Sequence, residues 1–251
     1  AYGVDSDSLG RALCLPVANM GLSYAIGLRF LVEEAFQNVG AGDLLIVSLD
    51  IPAFGQVEPV ADALLTVLDY RRDALRLLPA TDRPQRLASL GVLHLQALWQ
   101  RFWRGAVLGR TPAITRRRWL PTGDLVTRGA PGAMHAGSPV PREYAALPVD
   151  PRFWEVAAAL EQRATRAGAR VVFSPGPMAA RTGQAEAMDG LYRDLAARGH
   201  RLAGRPSDYV FADSLFIDQW HHLREPGRQL RTARLIADLR EAMPDIGCPG
   251  R

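Results

Sequence analysis

The chain has 251 residues, enough to bury one substantial core, with 48% hydrophobic and 22% charged residues and a net charge of +4. Every basic residue is arginine. This reads as a coding bias rather than a nucleic-acid footprint, because the arginines are scattered, Arg116–Arg118 is the only triplet and no aromatic ladder accompanies them. No apolar run is long enough to cross a bilayer, and two cysteines, Cys14 and Cys248, are too few for a disulfide scaffold and decide nothing about compartment.

A first helix is expected to begin near Leu9 with Ser8 as its N-cap. The short apolar run Leu15–Met20, ending at Gly21, reads as a strand. Ile26, Phe30, Leu31, Ala35 and Phe36 recur at helical spacing, so a helix is expected from about Ser23 to Val39, stopped by Gly40. The run Leu44–Asp50 is the clearest strand, and its nearly unbroken apolar character is that of a parallel strand covered on both faces.

Two helices are expected at about 58–78 and 86–107. The second carries Leu93, Leu95, Leu98, Trp99, Phe102 and Trp103, whose ordinary use is core or contact with a partner segment. From Leu108 to Pro151, Gly, Pro, Arg and Thr replace periodic apolar positions, which marks a long loop or insertion. Pro151 opens a helix that Gly168 closes. A strand Ala169–Ser174, a helix from about Gln184 to Arg198, a short strand His200–Ala203 and a C-terminal helix through Met243 complete the pattern. Such alternation is that of a doubly wound parallel sheet in one domain, with reactive groups beyond the carboxyl ends of the strands. Gly21, Asp50 and the Pro175 loop fall at such ends.

The segment Asp218-Gln219-Trp220-His221-His222-Leu223, closing on Gly227, concentrates the chemistry. A carboxylate three or four residues before an imidazole can fix its tautomer and stabilise the imidazolium formed during general base catalysis. An ion pair or helix cap uses the same residues structurally. Adjacent side chains diverge, so only one histidine is expected to face a site, and no metal-ligand partner spacing accompanies the pair. Gly40-Ala41-Gly42 precedes a strand, the wrong context for a phosphate-binding loop. No cofactor or metal is expected.

Three pieces taken together resemble the SGNH, or GDSL-type, hydrolase superfamily, in its bacterial envelope branch related to polysaccharide acetylation proteins. They are Tyr2-Gly3-Val4-Asp5 followed by Leu15 to Leu22, then Gly42-Asp43-Leu44-Leu45-Ile46-Val47, then Asp218 through Gly227 leading into an Arg-Thr helix. The resemblance implies a three-layer α/β/α flavodoxin-like sandwich and a serine ester hydrolase or O-acyltransferase acting on acyl or acetyl esters, carbohydrate esters among them. It implies His222 as general base, by its distance to Gly227, Asp218 as the group orienting it, and the Gly21 N–H as an oxyanion donor. The Asp-x-x-His frame of the family would select His221 instead.

Two positions depart from the family. Asp50 stands where the family has an oxyanion-donating Asn, and an ionised carboxylate cannot donate. The family's nucleophilic Ser would precede Tyr2-Gly3, so the 251 residues are expected to be a fragment, inactive alone, whose first sheet strand is missing. The alternative is a catalytically silent SGNH-like domain that binds glycan or scaffolds an envelope assembly. An extracytoplasmic or membrane-associated location follows from the resemblance, with an ester substrate, no nucleic acid and no membrane span.

Overall fold

A computed structural model describes residues 3–21, 24–60, 149–217 and 219–248, together with Ala63, Arg76, Gly91, Val92, Leu95, Trp99, Phe102, Trp103, Thr122, Asp124, Pro139 and Val140. Most of the two helices expected at 58–78 and 86–107, and most of the 108–150 loop, lie outside these residues.

The apolar run after Gly42-Asp43 forms β1 (Leu44–Leu49), which pairs in parallel with β2 (Arg170–Pro175), Leu44 opposite Arg170 and Leu49 opposite Pro175. The expected strand at His200–Ala203 contributes a single parallel bridge, Leu202 to Phe173. It is held by the Phe173 N–H on Arg201 O and the Ala203 N–H on Phe173 O. A second, two-residue parallel ladder joins β3 (Met178–Ala179) to β4 (Val210–Phe211). The fold is thus α/β with short parallel sheets.

Alternation along β1 and β2 sends side chains to opposite faces, as a pleated strand must. Leu45, Val47, Leu49, Val171 and Phe173 join one apolar cluster, whereas Leu44, Ile46 and Val172 join another. The first cluster receives α2 (Leu28–Ala35), α3 (Arg152–Ala167) and α4 (Ala185–Ala197). The second receives α1 (Ser6–Leu13) and α5 (Glu225–Ala242) through Leu9, Leu13, Leu235 and Leu239. In α3 the buried residues Phe153, Val156, Ala157, Leu160 and Ala164 recur at helical spacing, and Gly168 at φ 71° ends the helix as expected.

Three expectations need correction. Leu15–Met20 is not a strand: Leu15 and Met20 are exposed, and the Asn19 N–H donates to Thr122 O rather than to a sheet ladder. An apolar run becomes a strand only beside an edge that accepts it. The helix expected over 23–39 is interrupted, with a 3₁₀ turn at Tyr24–Ile26 and then α2, because Gly27 adopts φ 83° where the chain presses on residue 58. A Cβ at Gly27 would lie 2.4 Å from the Glu58 carbonyl carbon. The first helix begins at Ser6, capped by Asp5 rather than Ser8. Asp5 Oδ1 accepts from the Ser8 N–H at 3.1 Å, and the Ser8 hydroxyl donates to Asp5 Oδ2 at 2.8 Å. Burial raises the Asp5 pKa, but the two Ser8 donors, with Arg228 and Arg11, outweigh it and the net shift is downward. The cap's contribution therefore persists above the unfolded carboxylate range and is lost as pH falls through the lowered folded value.

Cys14 and Cys248 are joined in a disulfide, with Cα atoms 5.0 Å apart across 234 residues of sequence. The bond closes the end of α1 onto the segment following α5, where Arg240 Nη2 also donates to Ala12 O at 2.8 Å.

Gly176 follows β2 and crosses the end of β1 so closely that a Cβ would sit 2.4 Å from Leu49 O. Gly176→Ala is expected to destabilise the fold by about 2 kcal/mol through backbone displacement. Gly190→Ala, inside α4 where the nearest atom to a new Cβ is Arg193 Nη2 at 3.7 Å, is expected to stabilise by about 0.5–1 kcal/mol. Urea unfolding of both variants checks the opposite signs.

Candidate functional site

The chain between β4 and α5 is pinned into a loop by an antiparallel bridge from Phe216 to Leu223, both fully buried. The Ile217 N–H donates to His222 O at 2.9 Å, and the Arg224 N–H to Leu215 O at 2.7 Å. Trp220 is buried as well, with the Arg181 guanidinium 5.8 Å from its ring centre and Arg181 Nε 2.9 Å from Asp213 Oδ2. This anchoring accounts for the Leu223 to Gly227 spacing. Gly227 is buried in the first turn of α5, and a Cβ there would meet Leu223 Cδ2 at 2.9 Å and Leu215 O at 3.1 Å. The motif is thus partly a packing signature that fixes where the loop tip points.

At that tip, His221 Nε2 lies 3.2 Å from Asp50 Oδ2, with the two side chains only 11% and 17% exposed. Asp50 comes from the residue immediately after β1, so the end of a sheet strand and the tip of a distant loop meet. Tyr24 stands edge-on to the His221 ring at 6.2 Å. The expectation that the two histidine side chains diverge is wrong. The turn through Gln219–His222, closed by the His222 N–H on Gln219 O, brings their rings to 4.3 Å in a T-shaped contact. Divergence holds for a strand, and this segment is a turn.

A carboxylate at this distance from Nε2 favours the tautomer protonated there, which puts the basic lone pair on Nδ1. Asp50, read from sequence as a departure, is placed as the carboxylate partner of His221 Nε2. Asp218, expected to orient His222, lies outside the described residues. Among the described residues, no three His, Cys, Asp or Glu side chains gather to hold a metal ion.

Gly21 is exposed, and its N–H donates to Asn19 Oδ1 at 3.0 Å. Asn19 in turn donates from Nδ2 to Asp124 Oδ1 at 2.8 Å. Asp124, 2% exposed, also accepts from the N–H and the hydroxyl of Ser6, each at 2.8 Å. Asp124, in the region expected to be a long loop, therefore ties residues 6 and 19 together. Ser6 and Ser8 both spend their hydroxyls on carboxylates, which suits anchoring and capping rather than nucleophilic attack.

Sequence reasoning also missed Arg231, almost wholly buried on α5. Its guanidinium donates to Gly3 O at 2.7 Å, to Ser48 Oγ and to Pro175 O at 3.2 Å. The neighbouring Thr232 Oγ1 accepts from the Asp5 N–H at 2.9 Å and donates to Arg228 O. The Arg-Thr pair thereby holds residues 3–5 beside the carboxyl ends of β1 and β2, where Asp50 also lies. The Arg-Thr pair in the last motif was the available signal. Comparison with known proteins adds no neighbour: no protein-family model, curated protein or solved structure matches the chain.

Proposed function

We propose that the chain belongs to a serine ester hydrolase or O-acyltransferase of the SGNH type, acting on acyl or acetyl esters, built on a three-layer α/β/α sandwich. The observation that carries this reading is the approach of His221 to Asp50 beyond the carboxyl end of β1, with His222 in ring contact. Apolar clusters on both faces of the β1–β2 pair support the layered fold. Residues 3–5, the piece that resembles the segment after the family's nucleophile, are held at the same sheet end by Arg231 and Thr232. In this reading the histidine pair supplies the general base, with Asp218 and Asp50 as the carboxylates that orient it, and the Gly21 N–H serves the oxyanion after release from Asn19. The Cys14–Cys248 bond supports a location in an oxidising, extracytoplasmic compartment.

The catalytically silent, glycan-binding reading is favoured by one specific arrangement. In the Ser-His-Asp template Nε2 takes the nucleophile's proton, and here Asp50 stands against that nitrogen of His221.

Acetyl-ester turnover by the parent protein, with whatever sequence precedes Ala1 restored, separates the two. Loss of about 10²–10⁴-fold in kcat is expected for the variant lacking the base. Loss in His222→Ala with near-parental activity in His221→Ala assigns the base to His222, and the reverse assigns it to His221 with Asp50 as partner. In that second case Asp50→Asn must fall with it. A correctly folded parent that turns over none of a panel of simple acyl esters rules the hydrolase reading out in favour of the silent domain.

A further inference from the structure

Val92, Leu95, Trp99, Phe102 and Trp103 are helical and 50–69% exposed. Trp99 stacks on Trp103, ring centres 6.2 Å apart and planes 20° from parallel, and lies 6.2 Å from Phe102. Among the described residues, Trp99, Phe102 and Trp103 are thus the exposed aromatic end of an apolar strip that Val92 and Leu95 open in sequence. Of the two uses expected for this set, core or contact with a partner segment, its exposure excludes the core.

The sequence around the strip has one further property. Between Asp82 and Asp124 there is no acidic residue, while eight arginines occur from Arg83 to Arg118. This stretch carries +8 against +4 for the whole chain, so everything outside it sums to −4. The arginines are spread along the chain, but their excess over carboxylates is confined to the segment that bears the apolar strip.

We propose that the segment bearing this strip is a peripheral membrane anchor that lies in the surface of an anionic phospholipid bilayer. An interfacial helix needs an apolar face that includes large aromatics and a basic complement for anionic headgroups, and both are present. Tryptophan suits the headgroup boundary because its ring is apolar and its N–H polar. A single-stranded nucleic acid fits less well, because Val92 and Leu95, exposed with the aromatic rings, offer no stacking surface. The inference is independent of the esterase reading.

Flotation with vesicles of equal parts phosphatidylglycerol and phosphatidylcholine tests the proposal against vesicles of phosphatidylcholine alone. The protein is expected to partition at least about tenfold more strongly onto the anionic vesicles, and to be weakened several-fold between about 0.1 and 0.5 M salt. The triple variant Trp99→Ser, Phe102→Ser, Trp103→Ser is expected to lose at least about tenfold of that binding with an unchanged thermal transition. Should that variant fail to fold, the parent with bromine-labelled lipid gives the answer, since Trp99 and Trp103 at the boundary must show quenched fluorescence. Equal or absent binding to the two vesicle types, retained binding in the folded triple variant, or no bromolipid quenching overturns the proposal. So does vesicle-independent dimerisation, or capture of a labelled single-stranded oligonucleotide, that the triple variant abolishes while the parent ignores vesicles.

Discussion

Replacing Cys14 and Cys248 together by serine is expected to lower the free energy of unfolding by about 3–5 kcal/mol, and Tm by on the order of 10 °C. The magnitude follows from the 234-residue separation the bond spans. Closing so long a loop removes a large share of the unfolded chain's freedom, near the upper end of what single disulfides contribute. The native state receives the bond where other contacts already place its ends. Leu9 and Leu13 of α1 share an apolar cluster with Leu239, Met243 and Ile246, and Arg240 bonds Ala12 O. Thermal unfolding of parent and variant, each with and without a reducing dithiol, measures the effect. Reductant must shift the parent to the variant's value and leave the variant unmoved. A parent insensitive to reductant that removes both thiols' bond would show that the linkage adds nothing to stability.

Arg231→Met is expected to destabilise by about 2–4 kcal/mol at neutral pH. Two effects oppose each other. Burial pulls the Arg231 pKa down to about 10, no hydrogen-bond partner reaches Nε, and its three guanidinium contacts are with neutral acceptors. Methionine relieves that desolvation while filling similar volume. Against this, the substitution leaves Gly3 O without its Arg231 donor, leaves Pro175 O with only the Ser48 hydroxyl at 3.3 Å, and unties the N-terminal segment from the sheet end. Each orphaned buried acceptor costs about 1–3 kcal/mol, so the loss wins.

The pH dependence has a definite sign. With its folded pKa of about 10 below its ordinary unfolded value, the arginine penalises the native state fully below about pH 10, and the penalty fades as pH rises further. The parent's advantage over Arg231→Met therefore widens above pH 10. Tyr192 and Tyr209, whose phenols burial pushes upward, act in the opposite sense, and because Arg231 draws both downward, its removal raises them further and widens the gap with pH in the same direction. Denaturant unfolding at neutral pH and above pH 10 reads both predictions, and a gap that narrows with pH contradicts this account.

The elements legible in the sequence were those whose cause is local. Leu44–Leu49 and Arg170–Pro175 announce themselves by apolar runs, and α3 by its buried spacing between Pro151 and Gly168. Leu15–Met20 carries the same apolar signal, yet its conformation depends on a neighbour that composition does not encode. The break at Gly27 comes from residue 58 pressing on it, which periodicity within 23–39 cannot register. At the site, sequence spacing nominated Asp218 as the carboxylate and treated Asp50 as a defect. The contact between Asp50 and His221 arises because a strand end and a loop tip meet in space, and no local pattern joins them. Arg231 was hidden for a related reason: one arginine among thirty is unremarkable until its burial is known.

The packing of α1 against α5, with Gly3 and Asp5 held by Arg231 and Thr232, has a consequence for biosynthesis. Within this chain the segment before Cys14 is made well before the helix that stabilises it. Leu9 and Leu13 therefore remain unburied while the intervening strands and helices are synthesised, and their segment docks only after residue 242 has emerged. Contacts of such long sequence separation form slowly and leave apolar surface open meanwhile. Emergence of α5, rather than of the strands, is then the step at which this side of the sheet becomes covered, and a holding chaperone matters most in the interval before it.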